Sequence, residues 1–363
     1  MKRILIVVGT RPNFIKVTQF KNVVKLYPDI EIKIAHTGQH YEQNLADIFF
    51  KQFELAPDFF LKIHPSSPNS QMAEIMVELE KIIAEYKPHL MMVPGDVNST
   101  LAAAITANKC KIKLAHIESG LRSFDRTMPE EYNRIATDVL SDYLFVTEQS
   151  GIDNLKQDGR KDEDIFFVGN TMIDTLVAFN SQIQNSDVLE RMDTARKKFI
   201  LMTMHRPSNV DTKEGLEKLL SLSKILCNKY DVIFPVHPRT LKNIVANNLL
   251  TQFKNLKRII FTEPIDYFSF QKLVAEALCI ITDSGGVQEE STFRQVPCLT
   301  LRSNTERPIT VTIGTNEILP FDPEAIQEQI FKIEKGEYKQ GNIPPLWDGK
   351  ATERIMSNIN SIL

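Results

Sequence analysis

The sequence predicts an α/β protein built from two doubly wound parallel sheets, and three observations carry that reading. Short apolar runs rich in β-branched residues alternate with longer amphipathic stretches along the chain, the pattern of parallel strands joined by crossover helices. The series halts at a polar, helix-patterned stretch and then begins again. Most of the unusual polar residues stand immediately after a strand, which is where open parallel sheets bind ligands. At 363 residues the chain is long enough for two cores.

The first strands are expected at residues 4–8, 30–36, 90–93, 113–117, 143–146 and 165–168. A second series falls at 199–203, 232–236, 258–261, 279–282 and 298–301. Between them, 174–198 is charged through its centre and has no strand pattern, so the boundary is expected there. An amphipathic helix at 350–363 closes the chain after a Pro- and Gly-rich run. The expected domains are 1–175 with 350–363, and 176–349, with their strand ends aimed at a common cleft.

Forty-three basic residues against forty-six acidic ones give a net charge of −3, so no overall field draws the protein to nucleic acid or to a membrane surface. An anion site must be local. The opening Met1-Lys2-Arg3 precedes only five apolar residues before Gly9-Thr10-Arg11-Pro12, a buried strand rather than a signal peptide. No run approaches the ~20 apolar residues of a membrane helix. Cys110, Cys227, Cys279 and Cys298 are scattered and make no CxxC, which fits reduced thiols in a cytoplasmic protein.

Thr282-Asp283-Ser284-Gly285-Gly286-Val287-Gln288-Glu289-Glu290 follows a strand and opens a helix. Small residues there let backbone N–H groups approach a diphosphate at the positive end of the helix, and a carboxylate one turn in can accept from ribose hydroxyls. A plain capped strand-to-helix turn explains the same residues structurally. The run is neither GxGxxG nor a Walker loop, so NAD and ATP are not expected. Gly9-Thr10-Arg11-Pro12-Asn13-Phe14-Ile15-Lys16 is a second such turn; Arg11 and Lys16 at a helix start oppose its dipole unless an anion lies between them. Arg302 to Pro308 adds further guanidinium groups after the last strand.

Acid–base candidates are Asp96, Glu118, Asp125, Glu130, Glu131, His205 and His237. A carboxylate directly after a buried strand, as Asp96 and Glu118 are, is partly desolvated and so poised for proton transfer, though each is equally a possible helix cap. No HxxxH, HExxH or Cys/His spacing is present, so no metal is expected.

These blocks resemble the non-hydrolysing UDP-N-acetylglucosamine 2-epimerases over nearly the whole chain. The markers are Gly9-Thr10-Arg11-Pro12 with Lys16, Thr37-Gly38-Gln39-His40, Gly95-Asp96, His116-Ile117-Glu118-Ser119-Gly120-Leu121-Arg122, Pro129-Glu130-Glu131 with Asn133-Arg134, Gly169-Asn170-Thr171, His205-Arg206, Asp283 to Glu290 and Thr305-Glu306-Arg307-Pro308. The resemblance implies a glycosyltransferase-B-like arrangement, a homodimer, no cofactor, and a UDP-sugar held mainly by the C-terminal domain. By the same resemblance Asp96, Glu118, Glu130 and His205 match catalytic positions. Arg11, Lys16, Ser284, Gly285, Gly286, Glu290 and Arg307 match nucleotide-binding positions, and Phe270 the position beside uracil. The implied reaction inverts C2 of UDP-N-acetylglucosamine to give UDP-N-acetylmannosamine; a modified UDP-HexNAc substrate, or glycosyl transfer from a UDP-sugar, are the alternatives.

The chain departs from the family at Asn13, where many members have Glu, and at Pro207, where many have Arg. That Arg belongs to the site at which some bacterial members bind an activating second UDP-sugar, so Pro207 argues against such regulation. The Gly-Ser-Arg-Ala-Glu-Tyr run typical of hydrolysing relatives is absent from this sequence.

Overall fold

The computed structural model describes residues 1–38, 50, 52–196 and 198–363. Gln39 and His40 of the Gly38 motif lie outside the described residues, as does Lys197. The chain forms two compact units, Met1–Ala178 with Pro345–Leu363, and Phe179–Pro344.

The first unit holds a seven-stranded parallel sheet: β1 (Lys2–Val8), β2 (Ile30–His36), β3 (Phe59–Phe60), β4 (Leu90–Pro94), β5 (Lys113–Ser119), β6 (Tyr143–Val146) and β7 (Ile165–Phe167). Their spatial order is β3-β2-β1-β4-β5-β6-β7. The second unit holds six: β8 (Phe199–Thr203), β9 (Asp231–Pro235), β10 (Ile259–Thr262), β11 (Cys279–Thr282), β12 (Cys298–Leu301) and β13 (Asn316–Leu319), ordered β10-β9-β8-β11-β12-β13. The expected α/β class is therefore observed. Each sheet grows outward in both directions from its first strand, so its winding reverses once, between β1 and β4 or between β8 and β11.

Central strands are apolar on both faces because helices cover both. Ile4 to Val8 and Leu90 to Val93 are fully buried in the first unit, as are Phe199 to Met202 and Cys279 to Ile281 in the second. Strands β3 and β13 had no counterpart in the sequence reading. Two residues are too few for any alternation to register, and β13 carries Asn316 and Glu317 within its four residues. Asn316 is nevertheless fully buried, since its amide donates to Gln288 and Thr310 and its oxygen accepts from Thr300.

The closing helix Ala351–Ile362 belongs to the first unit and buries Ala351, Ile355, Met356 and Ile359. Trp347 just before it is also buried, its indole N–H donating to the carbonyl of Thr147 at 3.1 Å. The helix start is held by Asp174, a buried carboxylate 177 residues earlier in the chain, which accepts from the N–H groups of Ala351 (3.0 Å) and Thr352 (2.5 Å). Asp174→Ala should therefore leave two helix-end donors buried and unpaired, destabilising the chain by roughly 1–3 kcal/mol. Urea unfolding checks the magnitude, and hydrogen exchange should show the loss concentrated in residues 351–362.

Candidate active site

In the first unit, β1 is followed by Gly9-Thr10 and a one-turn helix, Arg11–Ile15, with Pro12 near its start. The Thr10 hydroxyl donates to the Asn13 amide oxygen (2.9 Å), and the Asn13 amide donates to the carbonyl of Pro94 (3.0 Å). These bonds tie the end of β1 to the end of β4. Lys16 is buried, and its ammonium pairs with the carboxylate of Glu118. The expectation that Lys16 opposes a helix dipole does not hold, because the helix ends at Ile15 and Lys16 caps its C-terminal end, where a cation is favoured. Arg11 opens the helix and is exposed.

Glu118 lies within β5 rather than after it. The pairing with β6 slips between Ile117 and Ser119, and Glu118 takes the left-handed φ of 67°, a bulge that re-aims its side chain. Gly95 also has a positive φ, 68°, and a Cβ there would stand 3.0 Å from the Asn13 amide nitrogen and 3.2 Å from the Lys16 ammonium. Glycine thus lets the Asp96 turn pass directly over the Lys16–Glu118 pair.

Asp96 receives the guanidinium of Arg134, and its carbonyl accepts from the Asn133 amide at 2.9 Å. It stands one residue before Val97, the N-cap residue of the next helix, Asn98–Lys109. Arg134 also pairs with Glu131, and Glu131 accepts the N–H groups of Ser123 and Phe124, each at 2.9 Å. Glu131 therefore holds a loop. Asp125 accepts from Thr127 two residues on, and His237 accepts from the N–H of Arg239 as a helix cap, so both make local structural bonds. Glu130 stands half-buried in the first turn of helix Pro129–Leu140, without a hydrogen-bond or ion-pair partner among the described residues.

Beneath this cluster, fully buried His116 bonds through Nδ1 to Asp138 (2.6 Å) and through Nε2 to the carbonyl of Gly95 (2.7 Å). Burial raises the Asp138 carboxyl, but His116 and Arg122 outweigh it and hold the group below its ordinary value. The Gly95-Asp96 turn is thereby braced from below.

In the second unit, His205 follows β8 and Asp283 follows β11, so the two meet across the β8–β11 reversal. Asp283 is fully buried and accepts the N–H of His205 (3.0 Å), the N–H of Arg206 (2.9 Å) and the amide of Asn209 (3.1 Å). His205 Nδ1 lies 2.9 Å from it. Burial pushes the Asp283 carboxyl up, and these donors more than compensate, leaving it lowered. Pro207 opens the short helix Pro207–Val210 after Arg206.

Ser284 is the N-cap residue of helix Gly285–Arg294 and makes no side-chain cap bond. A Cβ on Gly285 would lie 2.6 Å from Arg307 Nη1, so the missing side chain admits the Arg307 guanidinium to the helix start. Arg307 pairs with Glu289 (2.9 Å) and Glu306 (2.5 Å), Arg302 with Glu306 (2.8 Å), and Arg206 lies 3.8 Å from Glu306. Three guanidinium groups thus face two carboxylates beside a helix N-terminus, an excess of positive charge fitted to a phosphate group. Gly286 is the second residue of that helix. Phe270 is half-buried in the first turn of helix Tyr267–Glu276.

The structure brings together Lys16, Glu118 and the Gly95-Asp96 turn in one unit, and His205 with Asp283 in the other. It joins Gly285 to Arg307 as well. Sequence reasoning quoted Arg134, Glu289 and Glu306 within motifs without their bracing contacts, left out Asp138, and missed the orientation of Asp283. Arg134 carried a signal, lying one helical turn after Glu131. Among the described residues no group of His, Cys, Asp and Glu is placed to hold a metal ion, and no helix is long and apolar enough to cross a membrane.

Glu290 is buried, and burial pushes its carboxyl from 4.5 up to about 8, with Gln271 and Arg294 opposing the shift and Glu289 adding to it. Below pH 4.5 the group is protonated folded or unfolded. Between there and about 8 only the unfolded chain ionises, so wild-type stability falls as pH rises. Glu290→Gln cannot ionise, and its melting temperature should gain on wild type from pH 5 to about pH 8 and level off above that in buffer-matched thermal scans. An offset independent of pH would contradict the raised carboxyl.

The sequence profile described as UDP-N-acetylglucosamine 2-epimerase matches residues 23–360. A UDP-N-acetylglucosamine 2-epimerase of Methanococcus maripaludis is 38% identical over 369 residues, covering 98% of each chain. A UDP-2,3-diacetamido-2,3-dideoxy-D-glucuronate 2-epimerase of Pseudomonas aeruginosa is 36% identical, covering 97% of this chain and 98% of that one. The crystal structure of the Methanocaldococcus jannaschii UDP-GlcNAc 2-epimerase in complex with UDP-GlcNAc and UDP superposes with a TM-score of 0.89 at 38% identity, over 99% of this chain and 100% of that one. With a profile match across most of its length and full-length relatives at this identity, the chain belongs to the UDP-N-acetylglucosamine 2-epimerase family.

Proposed function

We propose that this enzyme inverts C2 of UDP-N-acetylglucosamine to give UDP-N-acetylmannosamine, without metal or redox cofactor. The observation that carries the reading is the pair of carboxylates from adjacent strands, Glu118 on Lys16 and Asp96 on Arg134, in a chain of the 2-epimerase family. The C2 hydrogen is next to no carbonyl, so direct deprotonation is too costly. Elimination avoids that cost. A carboxylate takes the C2 proton, the electron pair forms the C1–C2 double bond, and the C1–O bond breaks with its electrons leaving on UDP. The 2-acetamidoglucal then accepts a proton at C2 from the opposite face while UDP re-adds at C1.

Asp96, Glu118 and Glu130 supply the acid–base groups in this proposal. Asp96 is seated against the Arg134 guanidinium and Glu118 against the Lys16 ammonium, which holds both carboxylates in place for proton transfer. His205 and Arg11 stabilise the departing diphosphate; Lys16 serves Glu118 first and the phosphate second. Gly285, Gly286, Ser284 and Arg307 hold the diphosphate, Glu290 the ribose, and Phe270 lies beside the uracil. The proposal includes a cytoplasmic homodimer, which sedimentation of the purified protein would check.

The Pseudomonas relative favours a second reading, in which the sugar carries further substituents and the C2 chemistry is the same. A panel of UDP-HexNAc substrates in D2O, followed by NMR, separates the two. The 2-epimer of the true substrate should form with solvent deuterium at C2, and product that keeps its original hydrogen would exclude elimination. Asp96→Asn should lower turnover by about 10²–10⁴-fold, the range a general acid or base commonly supplies, with UDP affinity little changed by titration calorimetry. Near-normal turnover would remove Asp96 from the acid–base set.

A further inference from the structure

We propose that Asp283 is a positioning residue: it fixes a proton on Nδ1 of His205 and so leaves Nε2 as the atom that meets the departing diphosphate. The diphosphate is taken from the proposed reaction; the placement of the proton is not.

The placement follows from hydrogen-bond accounting. A buried carboxylate that accepts N–H bonds from His205, Arg206 and Asn209 is held ionised, since these donors outweigh the cost of burial and lower its pKa. His205 Nδ1 lies 2.9 Å from that ionised carboxylate, a separation at which an N–H on the ring atom is attracted and a lone pair is repelled. The side chain of His205 is 35% exposed, and Nε2 has no hydrogen-bond partner among the described residues. A ring held this way can take a second proton at Nε2 and present an imidazolium to a phosphate while Asp283 balances its charge.

The position of Asp283 in the Thr282 to Glu290 run invites a different role, as part of the turn that meets the nucleotide. Its oxygens exclude that. They are fully buried and point back at the residues after β8, so they reach no ligand. The remaining alternative is a staple that merely joins the two loops, for which the backbone donors and Asn209 suffice.

Asp283→Asn distinguishes the two. Asparagine keeps one oxygen for Arg206 and Asn209 but turns an NH₂ group toward Nδ1, which then must be unprotonated. Turnover should fall by about 10²–10⁴-fold, while KM and UDP affinity stay within about threefold. A staple predicts no such split. In a His205→Ala background the same substitution should cost almost nothing further, because its effect runs through the ring. A full additional loss there would overturn the proposal.

A direct measurement needs no active variant. In ¹⁵N-histidine-labelled wild type, with His205 assigned by its absence in His205→Asn, Nδ1 should hold the proton of the neutral ring, and Asp283→Asn should move it to Nε2. A neutral ring protonated on Nε2 in wild type would overturn the inference even if Asp283→Asn failed to fold. Wild type that epimerises no UDP-HexNAc would overturn the proposed function instead, and the NMR result would still decide the proton placement.

Discussion

A parallel sheet wound outward from its first strand must reverse direction once, and at that point the crossover connections lead away on opposite faces. The strand ends on either side of the reversal are left uncovered, with their following residues close together. Both sheets here have one reversal, and in each a side chain bridges it. Asn13 reaches from beyond β1 to the carbonyl of Pro94 at the end of β4, and Asp283 beyond β11 holds the residues after β8. The rest of the functional geometry hangs on these two crossings. Gly95 turns over the first and carries Asp96 with it; Ser284 and Gly285 leave the second and open a helix.

Charge at these crossings is arranged before any substrate arrives. Burying Lys16 with Glu118, and Arg122 with Asp138, forfeits hydration that mutual attraction scarcely recovers, so such pairs contribute little to stability. Their value lies in position. A carboxylate already seated against a cation need not reorganise when a proton moves, and preset charge of this kind supplies much of the rate enhancement of many enzymes. The guanidinium groups of Arg206, Arg302 and Arg307 show the complementary case, since Glu289 and Glu306 neutralise them only in part.

Bracing residues explain why so much buried polarity is tolerated. His116 spends both ring nitrogens on Asp138 and the Gly95 carbonyl, and Glu131 spends its oxygens on Ser123, Phe124 and Arg134. Each satisfies groups that would otherwise be left unpaired in the interior, which costs more than the bonds return. A glutamate in such surroundings reads as chemistry in the sequence and proves to be scaffolding in the fold.

The sequence by itself determined the two series of strands, the turns at Gly95 and Gly285, and the gathering of Asp96, Glu118, His205 and Asp283 at or near strand ends. All of these are local: periodicity reports which faces are buried, and glycine reports where the backbone needs room. Tertiary structure alone decided the partners. Lys16 and Glu118 are 102 residues apart, His205 and Asp283 78, and Asp174 reaches the helix at Ala351 across 177. It also decided that β3 and β13 exist, one too short and one too polar to register alone. The reason is physical: strand order fixes which loops become neighbours, and a hydrophobic pattern that recurs in every strand carries no mark of which strand lies beside which.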